Sequence, residues 1–478
     1  MKRRWLSLVA GPLLFILIGF APALPGVPAP AQYTAGIAAW MAVWWITEVT
    51  HTAVTALLPL VLFPLCGVLP IKNVSAEFGN EIIFLFLAGF LFGRTIERWN
   101  LHTRIALNMV LWLGSNPARM VLGFMVATGF ISMWISNTAT AVMMTPVAIA
   151  VGSGSWIDEE GGQHNFHKAL MLGVAYACSI GGMATIVGTP TNAIFLGFVQ
   201  QTMHVQVSFW QWFMFGFPFA AVLLLLCWWL LMWLFPLGKD THGGDYRQAL
   251  RAELLALGPL SAPERRLMWV FGAVIFSWIS GSLFWYRWIP NCNDTVVAVA
   301  GALVLFFLPA SNARQNTPLL DWDNAQKIQW GVLLFFGGGL ALAKGFEQSG
   351  LARLLGTQME SLDMLPMVLI LLVVLTVVTL MSELASNIAT ASMMMPVLAV
   401  LAKAVGADPF GFLLAAAMAA SFGFGLPVAT APNTIVFSSG HLNTRDMARA
   451  GFLLDAIAIL LLLGFVYFVL PLVWGIQM

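Results

Sequence analysis

Two short stretches place the same polar residues inside otherwise apolar surroundings. Residues 134–146 read WISNTATAVMMTP and residues 384–396 read LASNIATASMMMP. Each holds a Ser-Asn pair, Ser136-Asn137 and Ser386-Asn387, and each pair has a further Ser four residues upstream, Ser132 and Ser382. Neutral oxygens from Ser, Asn and backbone carbonyls suit a hard monovalent cation, whereas a soft metal would want Cys or His. An Asn side chain carries an amide oxygen for a cation and an NH2 group for an anion. Thr138 adds a hydroxyl beside Asn137. The four-residue spacing predicts that Ser132 and Ser136 share a helix face and reach one ion together, as do Ser382 and Ser386.

A second pair of stretches accompanies the first. GTPTNAIF (188–195) lies over ATAPNTIVF (429–437), matching Thr189 to Thr430 and Asn192 to Asn433. Pro190 and Pro432 interrupt helical hydrogen bonding, leaving Gly188 and Ala429 to offer carbonyls. No Lys, Arg or His falls within these four stretches. An anion bound there is balanced by dipoles, neutral donors and any bound cation, which couples the two bindings electrostatically. Anion/cation symport is the expectation that follows.

Other chemistry is thinly supplied. Glu48 and His51 in WITEVTH, Glu383 beside Ser382, and Asp455 near the C-terminus are ionisable residues in apolar segments, and such residues are functional candidates. They are too isolated to form a nucleophile–base pair or a metal cluster, so an enzyme is not expected. Cys66, Cys178, Cys227 and Cys292 have neither disulfide nor metal spacing. No organic cofactor is implied. The Met clusters 143–144 and 393–395 read as packing residues.

These motifs need elements that can hold them at membrane depth. The chain is 60% hydrophobic and 9% charged, where a soluble domain carries roughly a quarter charged residues. Apolar stretches of about 20 residues fit helices crossing a hydrocarbon core, and they lack the alternation of a β-barrel. The reading is an all-α polytopic membrane protein held in a lipid bilayer. A net charge of +1 gives no reason to expect a nucleic-acid partner. The start, MKRRWLSLVAGPLLFILIGF, resembles a signal peptide, but further spans follow at once and it reads as a retained anchor.

Segments 118–151 and 364–402 exceed one span, and each holds its Ser-Asn pair near the middle. Both read as re-entrant hairpins among about 11 transmembrane helices. A hairpin tip leaves carbonyls unpaired where one arm ends and N–H groups unpaired where the next begins. The first attract cations and the second anions. With the N-terminus cytoplasmic, most of the 22 Lys and Arg residues fall inside, among them Arg94, Arg104, Lys239 and Arg314. Lys72, Arg287, Lys344, Arg353 and Lys403 fall outside, consistent with an inner (plasma) membrane protein.

The repeat is wider than its motifs. Residues 82–101 lie over 332–351, matching Gly89 to Gly339, Arg94 to Lys344 and Glu97 to Glu347. Five crossings between the hairpins would invert the two halves, as in secondary transporters with a midplane site. The expected division is an N-terminal helix (1–33), a first repeat (34–236), a cytoplasmic linker (237–266) and a second repeat (267–478).

At these residues the chain resembles the divalent anion/sodium symporter family, known by a Ser-Asn-Thr signature at each of two hairpin tips. In WNLHTRIAL (99–107) and SMWISNTATAVMMTP (132–146) it is similar to the branch of sodium-coupled dicarboxylate and citrate transporters. The resemblance implies a homodimer, a scaffold domain, a transport domain moving by an elevator mechanism, and Na+-driven uptake of succinate, malate, fumarate or citrate. It implies one Na+ site at Ser132, Ser136, Asn137 and Gly188, and another at Ser382, Ala385, Asn387 and Ala429. It implies carboxylate contacts at Ser136, Asn137, Thr138, Thr189, Ser386, Asn387 and Thr430. Two positions depart from the pattern: Ile388 removes the second signature's hydroxyl, and Ala431 stands where Pro is frequent. A sodium-independent exchanger or a sulfate transporter of the same fold is the alternative, although an exchanger would be expected to carry a fixed cation near the tip.

Overall fold

The polar break inside each over-long apolar segment is where its helix ends. The computed structural model describes residues 2–22, 26–113, 116–152, 160–237, 245–289, 291–310, 317–359 and 365–476. Among these the regular elements are helices, with one isolated bridge between Pro309 and Pro318 and no strand. Six described helices are long and apolar enough to cross a membrane, including Phe209–Leu234 and Met367–Leu384. Shorter apolar helices, such as Pro117–Ser132 and Pro409–Ala419, stand between them.

The first over-long segment is two helices, Pro117–Ser132 and Asn137–Gly152. Its start is fixed locally: the Asn116 side chain accepts from the Arg119 amide, and Pro117 occupies the first turn. The two legs run antiparallel, because both pack along the helix Glu160–Met183 in opposite senses. Val121 and Met125 lie against Gly173, and Gly129 lies against Gly181, so the first leg runs with that helix. Asn137 lies against Gly182 and Gly152 against His167, so the second leg runs back along it. The Gly129–Gly181 contact is backbone on backbone, and a Cβ at Gly181 would fall on the Gly129 carbonyl.

The second over-long segment comprises Met367–Leu384 and Asn387–Ala404, and its second leg returns into Pro409–Ala419 through a short turn. Asp408 caps that helix by accepting from the Phe410 amide at 2.8 Å. Met364, at the expected start of this hairpin, lies outside the described residues, as do Lys239, Arg314 and residues 238–244 of the linker.

Each hairpin packs beside a helix that stops and resumes. Glu160–Met183 resumes as Pro190–Met203, and Pro409–Ala419 resumes as Ala431–Phe437. Pro190 and Pro432 sit in the first turn of the resuming helices, where a missing N–H costs nothing. One Asn stitches each break: Asn192 Nδ2 donates to the carbonyls of Gly182 (3.3 Å) and Thr185 (2.8 Å). Asn433 Nδ2 donates to Gly423 and Leu426, both at 3.0 Å.

Ion pairs join distant segments. Arg98 meets Asp321 at 2.7 Å, Lys168 meets Asp446 at 2.9 Å, and Lys344 meets Glu77 at 2.5 Å. Arg104 holds the end of the linker, bonding Glu264 at 2.7 Å and the carbonyl of Gly258 at 3.0 Å.

Candidate binding site

At the first tip the Ser132 hydroxyl lies 2.8 Å from Asn137 Oδ1 and 2.7 Å from the Cys178 carbonyl, sharing one proton between them. At the second tip Ser382 lies 2.8 Å from Asn387 Oδ1 and 2.6 Å from the Ala420 carbonyl. The upstream Ser of each motif is thus fully buried behind its Asn and fixes that amide. The expectation that Ser132 and Ser136 share one helix face does not hold, and neither does its copy at Ser382 and Ser386. The first leg ends at Ser132, and Ser136 lies beyond the turn. The Met133 carbonyl, which would carry the helix onward, is taken instead by the Thr185 hydroxyl at 2.5 Å. In the second hairpin the first leg ends at Leu384, and Ala385 is already extended, at φ −130° and ψ 164°. Ser136 Oγ instead accepts from Gln329 Nε2 and from the Ala139 amide, each at 3.3 Å.

The tips and the breaks meet around a cavity of about 400 Å³. Ser136, Asn137 and Thr138 line it from the first tip, and Ala385, Ser386, Asn387 and Ile388 from the second. Thr189, Ala429 and Thr430 complete it from the breaks. Ser132 and Ser382 stand behind their Asn partners, and the Cβ position of Gly188 is closed off by the backbone of Gly182. Helices begin at Asn137, Asn387, Pro190 and Ala431, so four sets of first-turn amides surround this space. No Lys, Arg or His lines it, and Glu48 is the one ionisable residue among its described lining. Glu48 follows the helix Ala29–Thr47 in a left-handed conformation, φ +45°, which non-glycine residues seldom adopt.

Glu383 does not face the cavity as a ligand. Its carboxylate accepts from the amides of Gly425 (2.6 Å) and Leu426 (2.8 Å). Asp455 takes the preceding amides of the same loop, Gly423 at 3.2 Å and Phe424 at 3.4 Å. The two acids grip the amide side of the break while Asn433 grips its carbonyls. His51 likewise turns inward on its own chain, Nδ1 accepting from Ala53 at 3.2 Å.

Reading by motif missed Gln329 and the stitching role of Asn192 and Asn433. The matched positions of the two Asn residues were a usable signal. For Gln329 there was none, because it reaches Ser136 from 193 positions away.

A helical membrane protein whose polar groups gather where two hairpin tips face two broken helices is a transporter in class. Residues 2–474 match the family described as sodium:sulfate symporter transmembrane region, and the chain belongs to that family. The sodium-dependent dicarboxylate transporter SdcS of Staphylococcus aureus (strain USA300) is 40% identical over 481 residues, covering 99% of this chain and 92% of the relative. SdcS of strain MRSA252 is 39% identical over the same span. Among solved structures, MtrF of Neisseria gonorrhoeae, described with a class of antimetabolite efflux pumps, has a TM-score of 0.54. It is 10% identical, with 83% of each chain covered, a likeness of fold alone.

Proposed function

We propose that this protein is a sodium-coupled symporter of dicarboxylates such as succinate, malate and fumarate, with citrate as a related substrate. The observation that carries the reading is a cavity bounded by two Ser–Asn tips and two helix breaks with no fixed positive side chain among its described lining residues. A dianion entering it meets amides, hydroxyls and helix N-termini, and Na+ supplies the remaining charge. The relative SdcS, named as a sodium-dependent dicarboxylate transporter, supports the same substrate class.

In this reading one Na+ is held at Ser132, Ser136, Asn137 and Gly188 and another at Ser382, Ala385, Asn387 and Ala429. Ser132 and Ser382 orient each Asn so that its amide serves both ions. The carboxylates bind Ser136, Asn137, Thr138, Thr189, Ser386, Asn387 and Thr430. The chain is organised as inverted repeats, 34–236 and 267–478, after an N-terminal helix (1–33) and joined by the linker 237–266. About 11 membrane crossings flank the two hairpins, and the N-terminus is cytoplasmic. The tips move together in an elevator motion against a scaffold that dimerises.

Uptake of labelled succinate by proteoliposomes with and without an inward Na+ gradient tests the reading. Gradient-driven accumulation is expected, with labelled sulfate taken up far less. Succinate exchange that proceeds undiminished without Na+ would overturn it in favour of an exchanger.

A further inference from the structure

The cavity between the tips continues into another. A space of about 240 Å³ adjoins it, and Ser136, Thr138 and Gln329 line both. Gln329 stands at the junction, its amide donating to Ser136 Oγ. The charged walls of this vestibule come from the helix Glu81–Arg98, through Arg94 and Glu97, and from Lys327 just before the helix Trp330–Gln348, and Trp134, Ile135 and Val187 add apolar surface.

The two spaces differ in charge. Among the described residues the tip cavity has no basic side chain in its lining, whereas the vestibule has two, Arg94 and Lys327. Arg94 gives one N–H to Glu97 at 2.9 Å, and its Nε is buried without a partner. Lys327 is exposed and makes no ion pair among the described residues. Arg94, Glu97 and Lys327 together leave one net positive charge beside Thr138. A cleft lined by one sign of charge raises the local concentration of the opposite ion.

The repeat supplies an internal control. Lys344, the counterpart of Arg94, is closed against the buried carboxylate of Glu77 at 2.5 Å. Around Gly339, the counterpart of Gly89, the open space is about 10 Å³. Among the described residues the vestibule shares its lining with the tip cavity, whereas Glu347, the counterpart of Glu97, lines a separate space of about 450 Å³ that has no residue in common with the tip cavity.

We propose that the vestibule is a staging site for the transported anion, in which Lys327 and Arg94 hold one carboxylate of a dicarboxylate on its way to or from the tips. This rests on the symport reading and adds to it a second, sided binding position. The vestibule attracts the dianion by fixed charge, and the tip cavity then holds it by Na+ and dipoles. Gln329 and Thr138, shared by both spaces, pass the carboxylate from one to the other. The staging site acts through local concentration, so its effect falls as salt screens Lys327.

The test is the succinate KM at each membrane face, in intact cells and in inside-out vesicles, for wild type, Lys327→Gln, Lys327→Arg and Arg94→Gln. Lys327→Gln is expected to raise the KM about fivefold on the face bearing Arg94 and to leave the other face unchanged. The rise should shrink at high ionic strength, the Na+ half-saturation should stay in place, and Lys327→Arg should restore the wild-type value. Arg94→Gln should act on the same face, and Lys327, which is exposed and without an ion pair, can be changed without disturbing the fold. An unchanged KM at both faces, or an equal rise at both, overturns the staging site while wild-type Na+-driven transport stands. Wild-type protein without Na+-driven succinate transport would sink the symport reading and the staging site with it.

Discussion

Ser132 reaches Asn137 Oδ1 at 2.8 Å, and the same hydroxyl touches the carbonyl of Cys178 at the end of the neighbouring broken helix. One side chain thus ties the hairpin tip to the break beside it. Ser382 repeats the arrangement with Asn387 and Ala420 in the second half. In each half the tip is thus hydrogen-bonded to the helix that leads into the break.

The stitches across the breaks set their stability. Asn192→Leu would leave the carbonyls of Gly182 and Thr185 without that donor, and Asn433→Leu would do the same to Gly423 and Leu426. An unsatisfied buried polar group costs about 1–3 kcal/mol. Each variant should unfold at lower temperature than wild type in detergent, measured by fluorescence-monitored melting. Melting unchanged in both variants would show that the loops hold themselves.

Ile388 is the wall position where the two tips differ most. It lines the cavity as the counterpart of Thr138 in the second tip, so one tip offers a hydroxyl where the other offers an aliphatic side chain. Ile388→Thr should shift the ratio of citrate to succinate affinity while leaving Na+ dependence and melting temperature in place. A discrimination of about 1–3 kcal/mol is within reach of a single added or removed contact. Competition of each acid against labelled succinate reads it directly.

Asp321, in the segment before the helix Trp330–Gln348, pairs with Arg98 of the helix Glu81–Arg98. Slight burial pushes its carboxyl up, but hydrogen bonds from Asn324 and the Arg98 charge outweigh this and hold it below the usual carboxylate range. A depressed folded-state pKa contributes stability that is present above the unfolded value, about 4. That contribution is lost as pH falls through the lower folded value. Asp321→Asn should therefore narrow the gap in melting temperature between pH 7 and pH 3, as followed in a pH series of melts.

Much of this site was legible in the sequence because the motif occurs twice. The paired Ser-Asn stretches and the paired Thr-x-x-Asn breaks mark the same positions that the fold brings together. Local spacing failed where a distant group decides the outcome. The first leg stops at Ser132 because Thr185, 52 positions on, takes the Met133 carbonyl. Glu383 is a functional candidate by its place in an apolar segment, yet loop amides 42 and 43 positions away claim both its oxygens. Gln329 enters the cavity wall from an element with no polar motif of its own, whereas Glu48 already stands out as an ionisable residue in WITEVTH. Such long-range pairings leave no periodicity to read.

The central claim is that Na+ and the dicarboxylate share one pair of tips, and its most direct test is reciprocal binding to purified protein. Linkage requires that Na+ raise succinate affinity by the same factor by which succinate raises Na+ affinity. Calorimetric titrations in both orders should give equal factors, of about tenfold or more. Asn137→Ala and Asn387→Ala should each weaken both ligands together. Succinate affinity independent of Na+, or an Asn variant that leaves both affinities untouched, would contradict the shared site.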